Sequence, residues 1–508
     1  MTGHWVFANS INMENEEKQN NEFLSLMADL PDNADDNKHY IRIDRIVLNN
    51  FKDVVFGDIT LNCGKEKNPF NTHSDILGIY GQNGSGKTST IEALSILKSL
   101  LSGRKIPDVY ANCIRIGSSS STLSFTFSVY DDMQNRRLFI YTFSIRKVEK
   151  ETSSESENHE GLDQLEKYPY RVEVYNERLD VSGPVDGKTW RLSTFINTES
   201  DSYAFVPFTR YKELISQDKK VRYNLFAFKD IVTKKESRSF IFSPELFHEI
   251  KNKCGYSEFY VILNYFRLFA HRYFYVVDTK SSGLIRLNIA VPLITRYDTV
   301  VVDNNSSTWV SEGYYDILND TVSRISIVLS SLIPGLTLKL HKTAVRKSAK
   351  GVDGFSIELM ANRNGTDLPA SYESDGVRKI ISILELFITA FNEPSCTIAI
   401  DEFDAGVFEY LLGELLAIFE ESGKGQLIFT SHNLRPLEVI NDKFLVFTTT
   451  NPNNRFIHFK GVGNTNNLRS KYFKEIILGS EQDEEIYNSS KRFKLKLALS
   501  KAKKPEGE

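Results

Sequence analysis

One stretch decides the fold class of this 508-residue chain: Gly81-Gln82-Asn83-Gly84-Ser85-Gly86-Lys87-Thr88. It matches the pattern G-x-x-x-x-G-K-[ST], in which the glycines let backbone N–H groups wrap around phosphate oxygens. A short apolar run, Ile76-Leu77-Gly78-Ile79-Tyr80, precedes it, and residues 88–101 have helical periodicity. A buried strand, a glycine-rich loop and a helix in this order predict a phosphate-binding loop of an α/β protein.

The chemistry of the loop assigns a role to its last residues. The positive end of the following helix favours phosphate. Lys87 is expected to reach the terminal phosphates, and Thr88 to offer its hydroxyl to Mg²⁺. We assign nucleotide contacts to these residues: Gly81, Asn83, Gly84, Ser85, Gly86, Lys87, Thr88 and Ser89.

Two later apolar strands also end in polar side chains. The first ends in Asp401 and Glu402. We expect Asp401 to hold Mg²⁺ through water and Glu402 to polarise the attacking water as general base. The second ends in His432, and a predicted helix over 407–421 separates the two strands. His432 should therefore lie on the neighbouring strand, where it could contact the γ-phosphate.

A helix start at Ser374-Asp375-Gly376 allows two interpretations. In the first, Ser374 is an N-cap followed by a flexible turn. In the second, the helix N-terminus is an anion site presented to a nucleotide that another subunit holds. The residues alone leave both open.

Taken in order, these motifs resemble the head of an ABC-type ATPase. That head has a Walker A loop, Ser-x-Gly at a helix start, an apolar strand ending in Asp-Glu, and then Ser-His. The opening 46–52 is similar to that of SMC-class, RecF-like and OLD-like ATPases, and the run 401–406 resembles their Walker B motif and D-loop. The resemblance covers roughly 40–147 and 320–450, about half of the chain.

The resemblance implies a fold class, ligands and an assembly. The fold is expected to be α/β, an ABC-type P-loop NTPase head with a mixed sheet flanked by helices, an antiparallel β subdomain and a large α+β insertion. The ligands would be ATP and Mg²⁺, and two heads would close around two ATP molecules. Ser374 and Gly376 of one chain would then cap the ATP of the other. The signature and the D-loop are abbreviated, and no Q-loop glutamine is identified.

Composition excludes other classes. The net charge of −4 gives no global basic field for nucleic acid. No apolar run approaches the roughly 20 residues of a membrane-spanning helix, and the N-terminus lacks the features of a secretion signal. The four cysteines are single, without the CxxC spacing of a zinc site. We therefore expect a cytoplasmic protein with reduced thiols and no membrane contact.

The chain is expected to divide into five parts. These are a flexible acidic and polar arm (1–38), an N-terminal lobe (39–147), an insertion (148–320) with a mobile loop (148–166), a C-terminal lobe (321–460), and an extension with a basic tail (461–508).

Several families of ABC-type proteins do not fit the chain. It has no membrane domain, no sustained heptads, no zinc hook, and no room for a Toprim nuclease after His432. The description that fits is a compact SMC-like ATPase with a globular insertion. This resembles the ATPase components of bacterial anti-phage systems of the Septu, PARIS and retron-associated type. This resemblance implies a slow ATPase that dimerises or forms a higher oligomer and controls a separately encoded effector such as a nuclease.

Two alternatives stay open. The first is a RecF/SMC-like repair or recombination ATPase that binds DNA through basic clusters at 219–222, 342–350 and 491–504. Such runs are more often solvated surface. The second is an ATP-gated scaffold with negligible turnover, against which the acid at Glu402 argues.

Overall fold

The structure is a computed structural model. It describes residues 40–61, 74–130, 136–150, 169–185, 188–278, 290–294, 299–303, 307–347, 353–458, 468–470, 472 and 496–500. The arm expected over 1–38 lies outside these residues, as do most of the expected mobile loop and most of the C-terminal extension.

In the described residues, strands and helices follow one another along the chain, and both also occur in runs of consecutive strands or consecutive helices. The strands are β1 (Tyr40–Phe51), β2 (Val54–Thr60), β3 (Asp75–Tyr80), β4 (Ser121–Tyr130), β5 (Arg136–Glu149), β6 (Tyr170–Val185), β7 (Lys188–Asn197), β8 (Phe274–Val277), β9 (Ala290–Ile294), β10 (Thr299–Asp303), β11 (Thr308–Ser311), β12 (Leu336–Lys347), β13 (Asp353–Arg363), β14 (Thr366–Pro369), β15 (Thr397–Ile400), β16 (Gln426–Thr430), β17 (Leu445–Thr448) and β18 (Phe456–Ile457). The helices are α1 (Lys87–Leu101), α2 (Phe208–Leu214), α3 (Lys219–Asp230), α4 (Pro244–Cys254), α5 (Glu258–Leu268), α6 (Glu312–Leu332), α7 (Asp375–Asn392), α8 (Glu409–Ser422) and α9 (Pro436–Val439).

The central sheet has six strands in the order β18-β17-β3-β16-β15-β8. Its strands are parallel except for β18, which pairs antiparallel with β17. Every residue of β3, β15 and β16 is buried, because parallel strands are covered on both faces. Since β16 lies between β3 and β15, the carboxyl ends of these three strands meet at one edge of the sheet.

Two apolar cores lie on the two faces of this sheet. Along β3, Leu77 and Ile79 belong to one core, while Ile76 and Tyr80 belong to the other. The first core also contains the apolar faces of α1, α5 and a second six-stranded sheet, β2-β1-β4-β5-β6-β7, which is antiparallel. The second core contains those of α6, α7, α8 and the strands β11, β13 and β12 of a smaller sheet, in which β14 pairs with β13.

The expected fold class is confirmed, and its local elements agree closely with the sequence pattern. The apolar run before the loop is β3, the periodicity after it is α1, and the helix expected over 407–421 is α8. The hairpin expected after residue 114 is the pair β4 and β5.

The region 148–320 differs from the expected division. It does contain both strands and helices, but β6 and β7 extend the antiparallel sheet beyond β5, and β8 is the edge strand of the central sheet beside β15. This region is therefore built into both lobes. The pairing joins residues far apart in sequence, and a four-residue apolar run such as β8 cannot be told from a helix end by periodicity.

Candidate functional site

The glycine-rich loop joins β3 to α1 at the carboxyl edge of the central sheet. Gly81, Gly84 and Gly86 have φ angles of 152°, 76° and 95°, which residues other than glycine rarely adopt. A Cβ at Gly81 would also lie 1.7 Å from Oγ1 of Thr448. Gly86 is the N-cap of α1 and supplies no side-chain cap, so no capping side chain occupies the first-turn N–H groups of α1.

The remaining loop residues divide into an exposed tip and a buried base. Asn83 and Gly84 are exposed, whereas Ser85 and Ser89 are buried. The hydroxyl of Ser85 donates to the carbonyl of Gln82 at 2.6 Å and lies 2.5 Å from the hydroxyl of Thr448. The base of the loop is thus fixed to the end of β17, and its tip is open.

Lys87 is buried inside the loop. Its Nζ donates to the carbonyls of Gly81 at 2.8 Å and Gln82 at 3.0 Å. Burial lowers the pKa of Lys87 to about 8, and the negative charge of Asp401 opposes this shift. A phosphate in contact with Nζ would stabilise the charged form of this lysine, because a nearby opposite charge offsets the cost of burial.

The residues expected at the metal lie together. Oγ1 of Thr88 donates to Oδ1 of Asp401 at 3.3 Å, and the hydroxyl of Thr430 donates to the same carboxylate oxygen at 2.6 Å. Within the described ranges, no group of three or more His, Cys, Asp or Glu side chains could hold a metal ion. Mg²⁺ usually takes only one or two protein ligands and completes its shell with substrate phosphates and water, so Thr88 and Asp401 fit it.

Glu402 stands at the end of β15 in an unusual backbone conformation. Its φ is 50°, a left-handed value that costs a non-glycine residue of order 1 kcal/mol or more. Its N–H donates to the hydroxyl of Thr430 at 2.8 Å, and its carbonyl accepts a hydrogen bond from Nζ of Lys379. The side chain of Glu402 is exposed at this edge, where it can meet water.

Asp404 joins the ends of β15 and β16. Its Oδ2 accepts the backbone N–H groups of His432 at 3.1 Å and Asn433 at 2.9 Å. Partial burial, followed by the charge of Lys87, lowers the pKa of the His432 ring. His432 thus follows the end of β16, the strand beside β15, as expected.

The start of α7 is arranged differently. Ser374 is exposed and is the N-cap of α7, because its hydroxyl accepts the N–H of Val377 at 3.4 Å. A Cβ at Gly376 would lie 2.1 Å from the carbonyl of Gly406. The first turn of α7 thus packs against the turn that follows β15 in the same chain.

Three residues of the site were missed from the sequence: Thr430, Thr448 and Lys379. The two threonines end β16 and β17, and polar side chains at the carboxyl ends of parallel strands are a recognisable signal. Lys379 carries no such signal, because a lysine in the second turn of a helix is ordinarily solvated.

Comparison with known proteins gives one family match. A family model described as "AAA domain, putative AbiEii toxin, Type IV TA system" matches residues 76–438. This range extends from β3 through α9 and includes the loop, Asp401, Glu402 and His432. No curated protein matches the sequence.

Solved structures with similar folds are distant. An SMC head bound to the C-terminal winged-helix domain of ScpA is 12% identical, with a TM-score of 0.36, over 82% of this chain and 96% of that chain. The SMC head domain from Thermotoga maritima is 14% identical, with a TM-score of 0.33, over 83% and 100%. The recombination mediator RecF with ATP, of the RecFOR pathway, is 11% identical, with a TM-score of 0.29, over 77% and 94%.

Proposed function

The chain belongs to this AAA-domain family of P-loop ATPases, and from that premise we propose that it hydrolyses ATP and that two chains close around two ATP molecules. One observation carries the proposal. The hydroxyl of Thr430 joins Oδ1 of Asp401 to the N–H of Glu402, and Thr88 reaches the same carboxylate oxygen. Metal-binding groups and an exposed acid are thereby held beside the phosphate loop.

The residues divide the work of hydrolysis. The N–H groups of the loop and Nζ of Lys87 bind the phosphates of the substrate and stabilise negative charge on the γ-phosphoryl group. Mg²⁺, held by Thr88 and Asp401, would neutralise phosphate charge. Glu402 orients the attacking water and accepts its proton, and His432 contacts the γ-phosphate from the adjacent strand end.

Dimerisation would complete the site. Ser374 is exposed at the N-terminus of α7, an 18-residue helix, so its positive end is open to a second chain. Ser374 and Gly376 would cap the ATP held by the partner's loop. The region 148–320, built into both lobes, would move with closure of the heads.

We further propose that this ATPase controls a separate effector in bacterial anti-phage defence. The basis of this proposal is the motif resemblance to the ATPase components of such systems, and the matching family is described as a putative toxin of a type IV toxin–antitoxin system.

Direct binding of DNA is the second candidate. Two exposed lysines of the cluster at 342–350 have partners within the chain. Lys342 lies 3.9 Å from the ring centroids of both Tyr315 and Phe355. Lys347 pairs with Asp353 at 3.1 Å. DNA binding through these clusters stays the alternative to the effector-controlling function.

The experiment that tests the proposal is Glu402→Gln, assayed for ATP affinity and for steady-state hydrolysis. We expect kcat to fall by about 100-fold or more, because general-base catalysis contributes about 10²–10⁴. ATP affinity should be unchanged, and an ATP-dependent dimer should accumulate. Glu409→Gln, which changes an exposed acid at the start of α8, is the control. Hydrolysis by Glu402→Gln at the wild-type rate would overturn the proposal. A pull-down of this variant with ATP then separates an effector protein from nucleic acid as the bound partner.

A further inference from the structure

Lys379 is a buried cation beside the acids of the site. It lies in the second turn of α7, is only 3% exposed, and donates from Nζ to the carbonyl of Glu402. A charged donor to a carbonyl is stronger than a neutral one, and burying a lysine is costly unless it is paired. The burial of this particular lysine therefore needs a reason.

The reason lies in the backbone that Lys379 contacts. Glu402 is held at a φ of 50°, which persists only where surrounding contacts determine it. Two side chains form hydrogen bonds with its backbone groups: the Thr430 hydroxyl accepts the N–H at 2.8 Å, and Nζ of Lys379 donates to the carbonyl. The direction in which the Glu402 side chain leaves the backbone depends on both contacts.

The start of α7 contacts the same segment a second time. Gly376 lies against the carbonyl of Gly406, with no room for a Cβ between them. The turn from Glu402 to Gly406 is thus in contact at both ends with the first two turns of α7, and Lys379 makes the polar contact.

We propose that Lys379 is a positioning residue for ATP hydrolysis: its ammonium holds the strained Glu402 peptide so that the carboxylate meets the attacking water. This inference rests on the proposed function, in which Glu402 is the general base. Because the contact of Lys379 is with the Glu402 peptide, we expect it to act on turnover and to leave ATP binding unchanged.

The test is Lys379→Met, which keeps the length and packing of the side chain but removes its donor. We expect kcat to fall about 10- to 100-fold, because small misplacements of catalytic groups have effects of that size. The dissociation constant for ATP should stay within about 3-fold of the wild-type value. If this variant does not fold, Lys379→Leu, which also fills the buried position without a donor, is measured in the same way and with the same expectation.

Lys229→Met is the matched control. Lys229 is also buried, 7% exposed, and its Nζ donates to the carbonyls of Thr198 at 3.0 Å and Ser200 at 3.1 Å. Its removal should lower the melting temperature without changing kcat. Equal losses of kcat in the two variants would show a general effect of losing a buried lysine and would overturn the inference.

A double-mutant cycle separates positioning from a structural role. If Lys379 acts through Glu402, then adding Lys379→Met to Glu402→Gln should lower the residual rate by less than about 2-fold. A further 10-fold loss would overturn the inference. The two failures are distinguishable: wild-type hydrolysis by Glu402→Gln defeats the proposed function. Slow Glu402→Gln with wild-type kcat in a folded Lys379→Met defeats the inference alone.

Discussion

Helices α1 and α7 both begin near the carboxyl edge of the central sheet, but their first turns are built in opposite ways. The N-cap of α1 is Gly86, which has no side chain to occupy the helix N–H groups, and Lys87 is buried beside it. The N-cap of α7 is Ser374, whose hydroxyl already accepts a helix N–H and whose position is exposed.

The difference indicates which helix start can bind phosphate without a second chain. At α1 the glycine-rich loop leaves the backbone donors free of side chains and adds a cation, so one chain supplies a phosphate site. At α7 the side-chain cap satisfies one donor and Ser374 is exposed among the described residues, so this start offers only a dipole and a hydroxyl. In the proposed dimer, its ligand is the phosphate that a second chain holds.

The largest expected effect comes from removing the lysine of the phosphate site at the start of α1. Lys87→Ala removes the buried ammonium that donates within the loop, and we expect ATP affinity to fall about 100-fold, since charged hydrogen bonds contribute about 1.5–3 kcal/mol each. Calorimetric titration with ATP measures it. The control is Lys105→Ala, which removes an exposed lysine paired with Asp108 at 3.0 Å. ATP binding by Lys87→Ala within a few-fold of wild type would show that the loop does not bind phosphate through this residue.

The second prediction tests whether the α7 start meets a partner's phosphate. Ser374→Asp retains a capping side chain, because Asp caps about as well as Ser, but it adds a negative charge. We expect the protein to stay folded and to bind ATP as a monomer, while ATP-dependent dimerisation weakens about 10-fold or more through repulsion. Sedimentation in the Glu402→Gln background measures the dimer.

Its matched control is Ser257→Asp at the N-cap of α5, whose hydroxyl accepts the N–H of Tyr260. That change should leave the dimer intact. If Ser374→Asp dimerises as well as this control, Ser374 is a helix cap and no more.

The third prediction concerns the segment between the two helix starts. Thr430→Val keeps the shape of a buried residue but removes the hydroxyl shared by Asp401 and Glu402. We expect kcat to fall about 10-fold, since an unsatisfied buried group costs about 1–3 kcal/mol and frees the Glu402 peptide. Thr430→Ser retains the hydroxyl and should restore most of the rate. Equal rates of hydrolysis for the Val and Ser variants would show that the Thr430 hydroxyl has no role in hydrolysis.

Elements with a local signal were predictable from the sequence. The strand β3, the loop and α1 follow each other within one short stretch, and the glycines mark backbone conformations that other residues rarely adopt. Asp401 and His432 were predictable because each ends a short apolar strand and a helix separates them, which places them on neighbouring strands.

Features that depend on distant contacts were not predictable. The strand β8 is four residues long and finds its place only by pairing with β15. The backbone of Glu402, in a left-handed conformation, is bound by Thr430 and Lys379, which lie 28 and 23 residues away in sequence. No periodicity or propensity encodes such contacts, so they are visible only in the folded chain.

The smallest expected effect separates the first two turns of α7 from its body. Glu385, further along the helix, is 3% exposed, and its Oε1 lies 3.9 Å from Nη2 of Arg324 on α6. Burial raises the pKa of Glu385 to about 7, against an ordinary value of 4.5, and Arg324 only partly opposes this shift. Between these two pH values the folded chain keeps a proton that the unfolded chain releases, so stability falls as the pH rises through the window.

Glu385→Gln mimics the protonated carboxyl and should remove that slope. We expect its melting temperature to exceed that of wild type by about 3 °C at pH 8, with the difference vanishing near pH 4.5. That rise in pKa corresponds to about 3 kcal/mol, and about 1 kcal/mol shifts the melting temperature of a chain of this size by about 1 °C. The rate of ATP hydrolysis should not change, because Glu385 lies beyond the turn that contacts Glu402 and Gly406. A temperature difference that is the same at every pH would mean that packing, not ionisation, explains it. A loss of hydrolysis would mean that the whole of α7, rather than its first two turns, positions Glu402.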